Sequence, residues 1–305
     1  MTDILILQRA IAGLATGDVQ DRVIGTKTSG PAGVDAVLEY NGIYLNFREW
    51  IDTFVVTEIQ GTDDADVRDS RTQNPTHHGE TPGKSLYGGR TIVLSGYIET
   101  KTIWKLRDMQ QGLRAAFADV STERPLVVRT ANPDYDLQIY CKKSQKINMP
   151  EKQDSPSRFK RDFQIMLRAS YPWFTSVREE FFSAVLSTGS YDEIAFTVIN
   201  LGNFQSMPKF ELAGPMNAGT VIVNEKNSNF IELTAAIPNG ETWAIENASG
   251  KMRVYRTSDG ANRWEYVSVL STELLLEPGS NPIRIAATGL TGSSRATIRF
   301  NHHYI

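Results

Sequence analysis

Residues Ile194–Gly214 read IAFTVINLGNFQSMPKFELAG. Ile194, Phe196 and Val198 alternate with Ala195, Thr197 and Ile199, the period of two expected of a strand with one covered face. Asn200, Gly202 and Asn203 break the run with residues that tolerate left-handed backbone or bond locally to it. Pro208 opens a second run, a position where a missing backbone donor is tolerated. Phe210 and Leu212 resume the alternation, and Gly214-Pro215 ends it. The stretch predicts strand, turn, strand. It contains no nucleophile–base pair, metal cluster or phosphate loop, so its role is architectural.

The C-terminal side continues in the same manner. Short strands are predicted at Thr220–Asn224, Asn229–Leu233, Thr242–Glu246, Met252–Arg256, Leu274–Leu276, Asn281–Ala286 and Arg295–Phe300. Turn residues separate them, among them Pro238-Asn239-Gly240, Ser258-Asp259-Gly260 and Pro278-Gly279-Ser280-Asn281. Many short strands at this spacing predict a β-sandwich over residues 191–305, preceded by a linker at 176–190.

Residues 41–175 predict a first, mainly β domain with one helix. Its strands are Ile43–Phe47, Thr53–Gln60, Thr91–Ile98, Leu126–Thr130, Tyr135–Cys141 and Arg158–Tyr171. In the last, Phe163, Ile165, Leu167, Ala169 and Tyr171 form the face to be buried, and Pro172-Trp173-Phe174 ends the run. The helix spans Thr102–Ala118, with Thr102 as N-cap and Ile103, Leu106, Leu113 and Phe117 on one face beside Trp104, Met109 and Ala116. Gly61–Arg90, GTDDADVRDSRTQNPTHHGETPGKSLYGGR, exceeds the ~15 residues of ordinary loops. Lying between two strong strands, it predicts an extended hairpin or arm. Residues 1–40 predict an N-terminal arm or extension: Ile4, Leu7, Ile11 and Leu14 have helical spacing, while Ile4–Leu7 also suits a strand, packed on a neighbour or on its own domain.

Over 305 residues, 32 Lys plus Arg against 35 Asp plus Glu give 32 − 35 = −3, without the basic excess of a dedicated nucleic-acid binder. Cys141 is the single cysteine, so no intrachain disulfide forms; it reads as a buried strand residue rather than a catalytic thiol. No apolar run approaches the ~20 residues of a membrane span, and Asp3 stands where a signal peptide would be basic. The totals predict a soluble protein retained in a cytoplasm or delivered as part of an assembly.

Each candidate for chemistry has a plainer reading. His77-His78 with Asp63, Asp64, Asp66 and Glu80 lacks both metal-site convergence and calcium-loop spacing, and reads as a solvated loop. Thr81–Ser85, TPGKS, has histidine at position 78 where a phosphate loop needs glycine. Glu179-Glu180 and Asp192-Glu193 are adjacent pairs on extended chain, which face opposite ways and read as solvated linker charge. Lys142, Lys143, Lys146, Lys152, Arg158, Lys160 and Arg161 are interrupted by acids and read as a solvated hairpin rather than a phosphate-backbone contact. His302-His303 belongs to the last strand and its end. Tyr255, Trp264 and Tyr266 suit either a sugar or partner platform or core and subunit packing.

The ordered features together resemble the distal tail protein (Dit) family of phages with long, non-contractile tails. Asn200, Gly202, Pro208 and Gly214 carry the clearest match, followed by Leu276-Glu277-Pro278-Gly279-Ser280-Asn281 and the turn Pro238-Asn239-Gly240-Glu241. In the first half the match is one of pattern: strand, long loop, strand Thr91–Ile98, helix Thr102–Ala118 and strand Arg158–Tyr171. The resemblance covers residues from about Ile43 to the end. It implies a tail-tube-like β-sandwich domain with one helix, then a galectin-like β-sandwich. It also implies a non-enzymatic hub in the virion tail tip, assembled in the host cytoplasm as a homo-hexameric ring, without cofactor or membrane insertion. Its partners would be the tail tube protein, a tail-tip or tail-associated lysin protein, and receptor-binding or side-fibre proteins. Genome DNA would cross the lumen without sequence-specific binding. Rival readings are a carbohydrate-binding protein acting through the C-terminal sandwich and a related tail-tube or baseplate component. With a ring in view, subunit or axial contacts are expected in the long loop, at Thr62, Asp63, Asp64, Asp66, Arg68, His77, His78, Lys84 and Tyr87.

Overall fold

The computed structural model describes residues 36–46, 52–63, 65–73, 78, 80–83, 85–129, 136–150, 159–186, 189–248 and 251–305. The expected N-terminal arm falls almost wholly outside them. The chain divides into two compact units, Met1–Val177 with Ile305, and Arg178–Tyr304.

The first unit contains β1 (Val37–Tyr40), β2 (Ile43–Leu45), β3 (Thr53–Gln60), β4 (Val67–Arg68), β5 (Arg71–Gln73), β6 (Glu80–Pro82), β7 (Leu86–Tyr87) and β8 (Arg90–Glu99). Helix α1 (Ile103–Ala116) follows, then β9 (Arg124–Arg129), β10 (Leu137–Lys143), β11 (Lys160–Ala169) and β12 (Phe174–Ser176). The main sheet runs β2-β1-β9-β10-β11-β8-β3, and β12 adds to β10. Its two ends are stitched by Asn46, whose N–H donates to Phe54 O at 2.7 Å. The same residue's Oδ1 accepts from the Val56 N–H at 2.5 Å and its Nδ2 donates to Ala36 O at 3.2 Å. A bulge between Val56 and Glu58 bends β3 at this seam, as an extra residue does. The sheet thus rolls until its ends meet around Leu38, Val56, Leu94, Ile98, Ile139, Ile165 and Leu167.

Thr102 caps α1, its hydroxyl accepting from the Lys105 N–H at 3.2 Å. Leu106, Leu113, Ala116 and Phe117 are buried, and Phe117 stacks on Tyr40 with ring centroids 4.3 Å apart. Ile103, expected on the buried face, is exposed, and Trp104 beside it is 71% exposed with the Arg107 guanidinium 5.3 Å from its ring. Tyr171 also departs from its expected buried face, because β11 stops at Ala169 and the alternation lapses with it. Gly112 is exposed and nothing lies within 4 Å of a Cβ placed there. Gly112→Ala is therefore expected to raise the thermal midpoint, adding about 1 kcal/mol through helix propensity.

The second unit contains β13 (Glu180–Val185), β14 (Gly189–Asn200), β15 (Lys209–Ala213), β16 (Thr220–Asn224), β17 (Asn229–Leu233), β18 (Thr242–Ala248) and β19 (Lys251–Arg256). After a short 3-10 turn at Trp264–Tyr266 come β20 (Gly279–Leu290), β21 (Arg295–Phe300) and β22 (His303–Tyr304). A sheet β13-β21-β15-β18-β19 faces a sheet β14-β20-β16-β17, forming a sandwich. Phe210, Leu212, Trp243, Ile245 and Ile298 from one layer meet Val198, Ile222, Ile231, Ile283 and Ile285 from the other in a single core.

Two expectations fail here. The linker predicted at 176–190 contains β13, which pairs along its whole length with β21. Leu274–Leu276 forms no strand. Leu276 makes an isolated bridge to Ser206, each N–H donating to the other's carbonyl at 2.9 Å, and the run goes no further as a ladder. The Leu275 carbonyl instead accepts from Asn224 Nδ2 at 2.9 Å, and Asn200 Nδ2 adds a second bond to the Leu276 carbonyl at 3.0 Å. The charge pairs also sit differently from the linker reading. Glu179 contacts Arg299 at 3.3 Å, while Glu193 lies on β14 and contacts Arg284 at 3.4 Å.

The stretch from Ile194 to Gly214 carries the chain between the layers: β14 lies in one sheet and β15 in the other. Val198 and Asn200 are buried, whereas Glu193, Ala195, Thr197 and Ile199 are exposed. Buried Asn200 holds the crossing. Its Nδ2 donates to Phe204 O at 2.8 Å and its Oδ1 accepts from the Gly202 N–H at 2.9 Å. Gly202 is required by proximity rather than by a left-handed backbone, since a Cβ there would lie 2.0 Å from the His303 carbonyl oxygen.

His302 stands just before the last strand, β22, and His303 opens it; both are buried against this crossing. The Leu201 N–H donates to His302 Nδ1 at 3.2 Å, and His303 Nδ1 lies 3.0 Å from Gln205 O. Burial lowers the His303 pKa from 6.5 to about 4, despite the favourable Gln205 carbonyl. The unfolded chain therefore binds the proton first. Stability is full above pH 6.5 and falls as pH drops toward about 4, by up to about 3 kcal/mol. Urea midpoints measured between pH 7 and pH 4 are expected to follow this slope, and His303→Gln to flatten it.

Candidate assembly surface

Strands β3 and β8 form an antiparallel hairpin whose ladder reaches Gln60 opposite Val93. Beyond it the chain continues as the expected extended hairpin. Val67 and Arg68 pair with Tyr87 and Leu86, and Arg71, Thr72 and Gln73 pair with Pro82, Thr81 and Glu80. Between the two ladders the outgoing strand has two residues, 69–70, and the returning strand three, 83–85, so the register slips by one. The Gly83 N–H donates to Ser70 O at 2.5 Å beside the slip, while the Gly88 N–H to Asp66 O bond at 2.6 Å continues the β4–β7 ladder toward the root. Asp69 braces it with Arg71 at 2.5 Å and the Ser85 hydroxyl at 3.0 Å, and these bonds hold its carboxyl below the usual range.

The root of this arm is fixed separately. Gly61 has φ +81°, and a Cβ there would fall 1.9 Å from the Thr91 carbonyl oxygen. Arg90, one of the largest fully buried side chains, donates from Nη1 to the Thr62 carbonyl at 2.9 Å and lies 5.2 Å above the Phe174 ring. Sequence reading passed over Arg90, because nothing in its spacing distinguishes it from a surface arginine.

The expected contact residues divide accordingly. Thr62 is only 7% exposed and serves as an anchor for Arg90, which corrects its placement among surface contacts. Asp63, Asp66, Arg68, His78 and Tyr87 are exposed. Asp64, His77 and Lys84 lie outside the described residues. The apolar Val67 and Leu86, absent from the expected set, are exposed on the same two-stranded ladder as Tyr87.

The aromatic trio does not form one platform. Tyr266 stacks on the buried Trp243, centroids 5.6 Å apart, against the sandwich core. Tyr255 pairs in register with Ala244, one position from Trp243, so it stands on the other face of the sheet. Its hydroxyl donates to Glu246 Oε2 at 3.1 Å. Trp264 is exposed.

Of the remaining candidates, buried Cys141 has its thiol pushed up to about 12 by desolvation, a protonated and unreactive state at neutral pH. Lys160 lies 3.6 Å from the Tyr97 ring centre, and Arg161 donates to Pro150 O at 3.1 Å, so both engage their own fold. Lys152 and Arg158 lie outside the described residues. Among the described residues no three His, Cys, Asp or Glu side chains gather as metal ligands, and no helix is long and apolar enough to cross a membrane.

No protein-family model matches the chain, and no curated protein matches it. Solved structures do. The Dit protein of phage SPP1, described as a paradigm of the hub adsorption apparatus in phages infecting Gram-positive bacteria, is 13% identical with a TM-score of 0.63. The match covers 88% of this chain and 99% of that one. The phage P2 baseplate, in its activated conformation with calcium or with strontium, matches at 6% identity and TM-score 0.45, over 88% of this chain and 97% of the matched chain in each case. The rolled sheet with its single described helix, followed by the sandwich, is the fold of the SPP1 Dit protein.

Proposed function

We propose that this chain is a structural, non-enzymatic hub of a phage tail tip, assembling as a hexameric ring between the tail tube and the tip and carrying host-recognition proteins. The observation that carries this reading is the likeness to the SPP1 hub protein over 99% of that protein's length, spanning both units. The arm adds a physical reason for assembly. A braced hairpin with Val67, Leu86 and Tyr87 on one exposed ladder presents apolar surface that a single chain leaves in water. Ring closure calls for a heterologous contact, in which an arm on one subunit meets a different patch on the next.

On this reading the first unit stacks on the tube and makes the ring, and the second, a galectin-like sandwich, faces outward. The tail tube protein, a tail-associated lysin and receptor-binding or side-fibre proteins are the proposed partners, with DNA crossing the lumen unread and the finished protein residing in the virion. Negative-stain microscopy of the purified chain is expected to show sixfold rings with peripheral lobes. Stacked tubes would favour a tube component instead, and dispersed monomers would overturn the hub reading.

A further inference from the structure

A groove of about 280 Å³ in the first unit is lined by Glu123, Gln138, Tyr140, Tyr171, Trp173 and Thr175. It lies on the outward face of the rolled sheet. Gln138 and Tyr140 alternate along β10 with the buried Leu137, Ile139 and Cys141. Gln138 pairs with Thr175 of β12, so continuing that register brings Trp173 opposite Tyr140 on the same face. Tyr171 and Trp173 pack with ring centroids 5.1 Å apart at a tilt of 36°. Tyr140 and Tyr171 are 52% and 38% exposed, a large aromatic outlay for an open surface.

The polar groups are arranged as well as present. Glu123 Oε1 accepts from the Ser170 N–H at 2.9 Å and from its hydroxyl at 2.6 Å. These two bonds hold the Glu123 carboxylate in place within the groove lining. The lining holds one carboxylate, three electron-rich rings and no cationic side chain. Such a surface repels phosphate and attracts a cation. A planar guanidinium fits best, because it stacks on indole or phenol while donating in its plane to a carboxylate, an amide oxygen and a hydroxyl.

We propose that this groove is a docking site for an arginine side chain presented by a partner protein. The proposal is independent of the hub reading, since it concerns the chemistry of this groove alone.

The test uses the full chain and two probes of equal shape, N-acetyl-L-argininamide and its uncharged isostere N-acetyl-L-citrullinamide, titrated while tryptophan fluorescence is followed. Saturable binding of the arginine probe at roughly millimolar Kd is expected. The citrulline probe should bind about tenfold more weakly, the loss expected when the charge is removed. Glu123→Gln, which still accepts from Ser170, should weaken the arginine probe about tenfold and leave the citrulline probe unchanged. Tyr140→Ala, at an exposed position, should also weaken arginine binding and provides a second variant should Glu123→Gln melt early. Absence of saturation, equal binding of the two probes, or indifference to both substitutions would overturn the proposal. So would tighter binding of methyl β-glucoside, which assigns the groove to neutral sugars, or of tetramethylammonium, which assigns it to small free cations.

Discussion

Replacing Val67–Tyr87 by Asn-Gly is expected to abolish ring formation while leaving both units folded. The splice follows the ladder: Asp66 and Gly88 already face each other through the Gly88 N–H to Asp66 O bond, and Asn-Gly is the tight hairpin turn that joins such a pair. A cut from Thr62 to Gly89 would also remove the Thr62 carbonyl that receives buried Arg90, confusing loss of assembly with loss of fold. The magnitude is decisive. Val67 and Tyr87 share one face of the ladder and Leu86 stands on the other. Each such side chain buried at a contact contributes roughly 2 kcal/mol, against about 8 kcal/mol for a micromolar association. Without them a ring contact loses most of its driving force. Size-exclusion chromatography and negative-stain images check the outcome, with circular dichroism as the folding control. Intact rings from the spliced chain would show that the arm makes no ring contact.

Gly202→Ala is expected to destabilise the second unit by more than about 3 kcal/mol. The new methyl would stand 2.0 Å from the His303 carbonyl oxygen and 2.8 Å from its nitrogen, and both are backbone atoms that no rotamer change can move aside. Relief requires separating the crossing from β22, which breaks the Phe204 N–H to His303 O bond of 3.1 Å and disturbs Asn200 beneath it. Gly240 supplies the contrast: with φ +80° and nothing within 4 Å of a Cβ, Gly240→Ala meets backbone strain alone and costs about 1 kcal/mol. Thermal denaturation of both variants separates the two causes, and equal losses would refute the packing argument.

The sequence exposed those elements in which burial alternates. Thr220–Asn224, Asn229–Leu233 and Arg295–Phe300 begin and end where their apolar pattern does, and the capped helix was equally plain. Strand β13 was hidden for the same reason in reverse. As an edge strand it leaves Phe181, Phe182, Ser183 and Val185 exposed in near succession, so no period of two marks it. Leu274–Leu276 misleads because an apolar run says nothing about how far its backbone pairs: here Leu276 makes an isolated bridge to Ser206, while asparagine side chains also reach the Leu275 and Leu276 carbonyls. The arm was legible as a hairpin from its length and flanks. Its apolar ladder is hard to see because Val67 and Tyr87 lie far apart in a polar segment and come opposite each other only through the register. Thr62 was misplaced by the converse effect, a polar residue in a polar run that the Arg90 contact draws inside.

The crossing at Asn200 also dictates when the second unit can exist. Its first two strands have partners among its last: β13 pairs with β21, and β14 pairs with β20 from Asn200 opposite Gly279 to Gly189 opposite Leu290. During synthesis both early strands emerge from the ribosome without the segment that completes them. The Asn200 side chain likewise waits for the carbonyl of Leu276. Pairings so distant along the chain form slowly, since the intervening loop must close before any contact rewards it. Folding of this unit is therefore a single late event, set by the release of residues 276–304, and any ribosome that stalls earlier holds a chain with exposed strand edges and no sandwich.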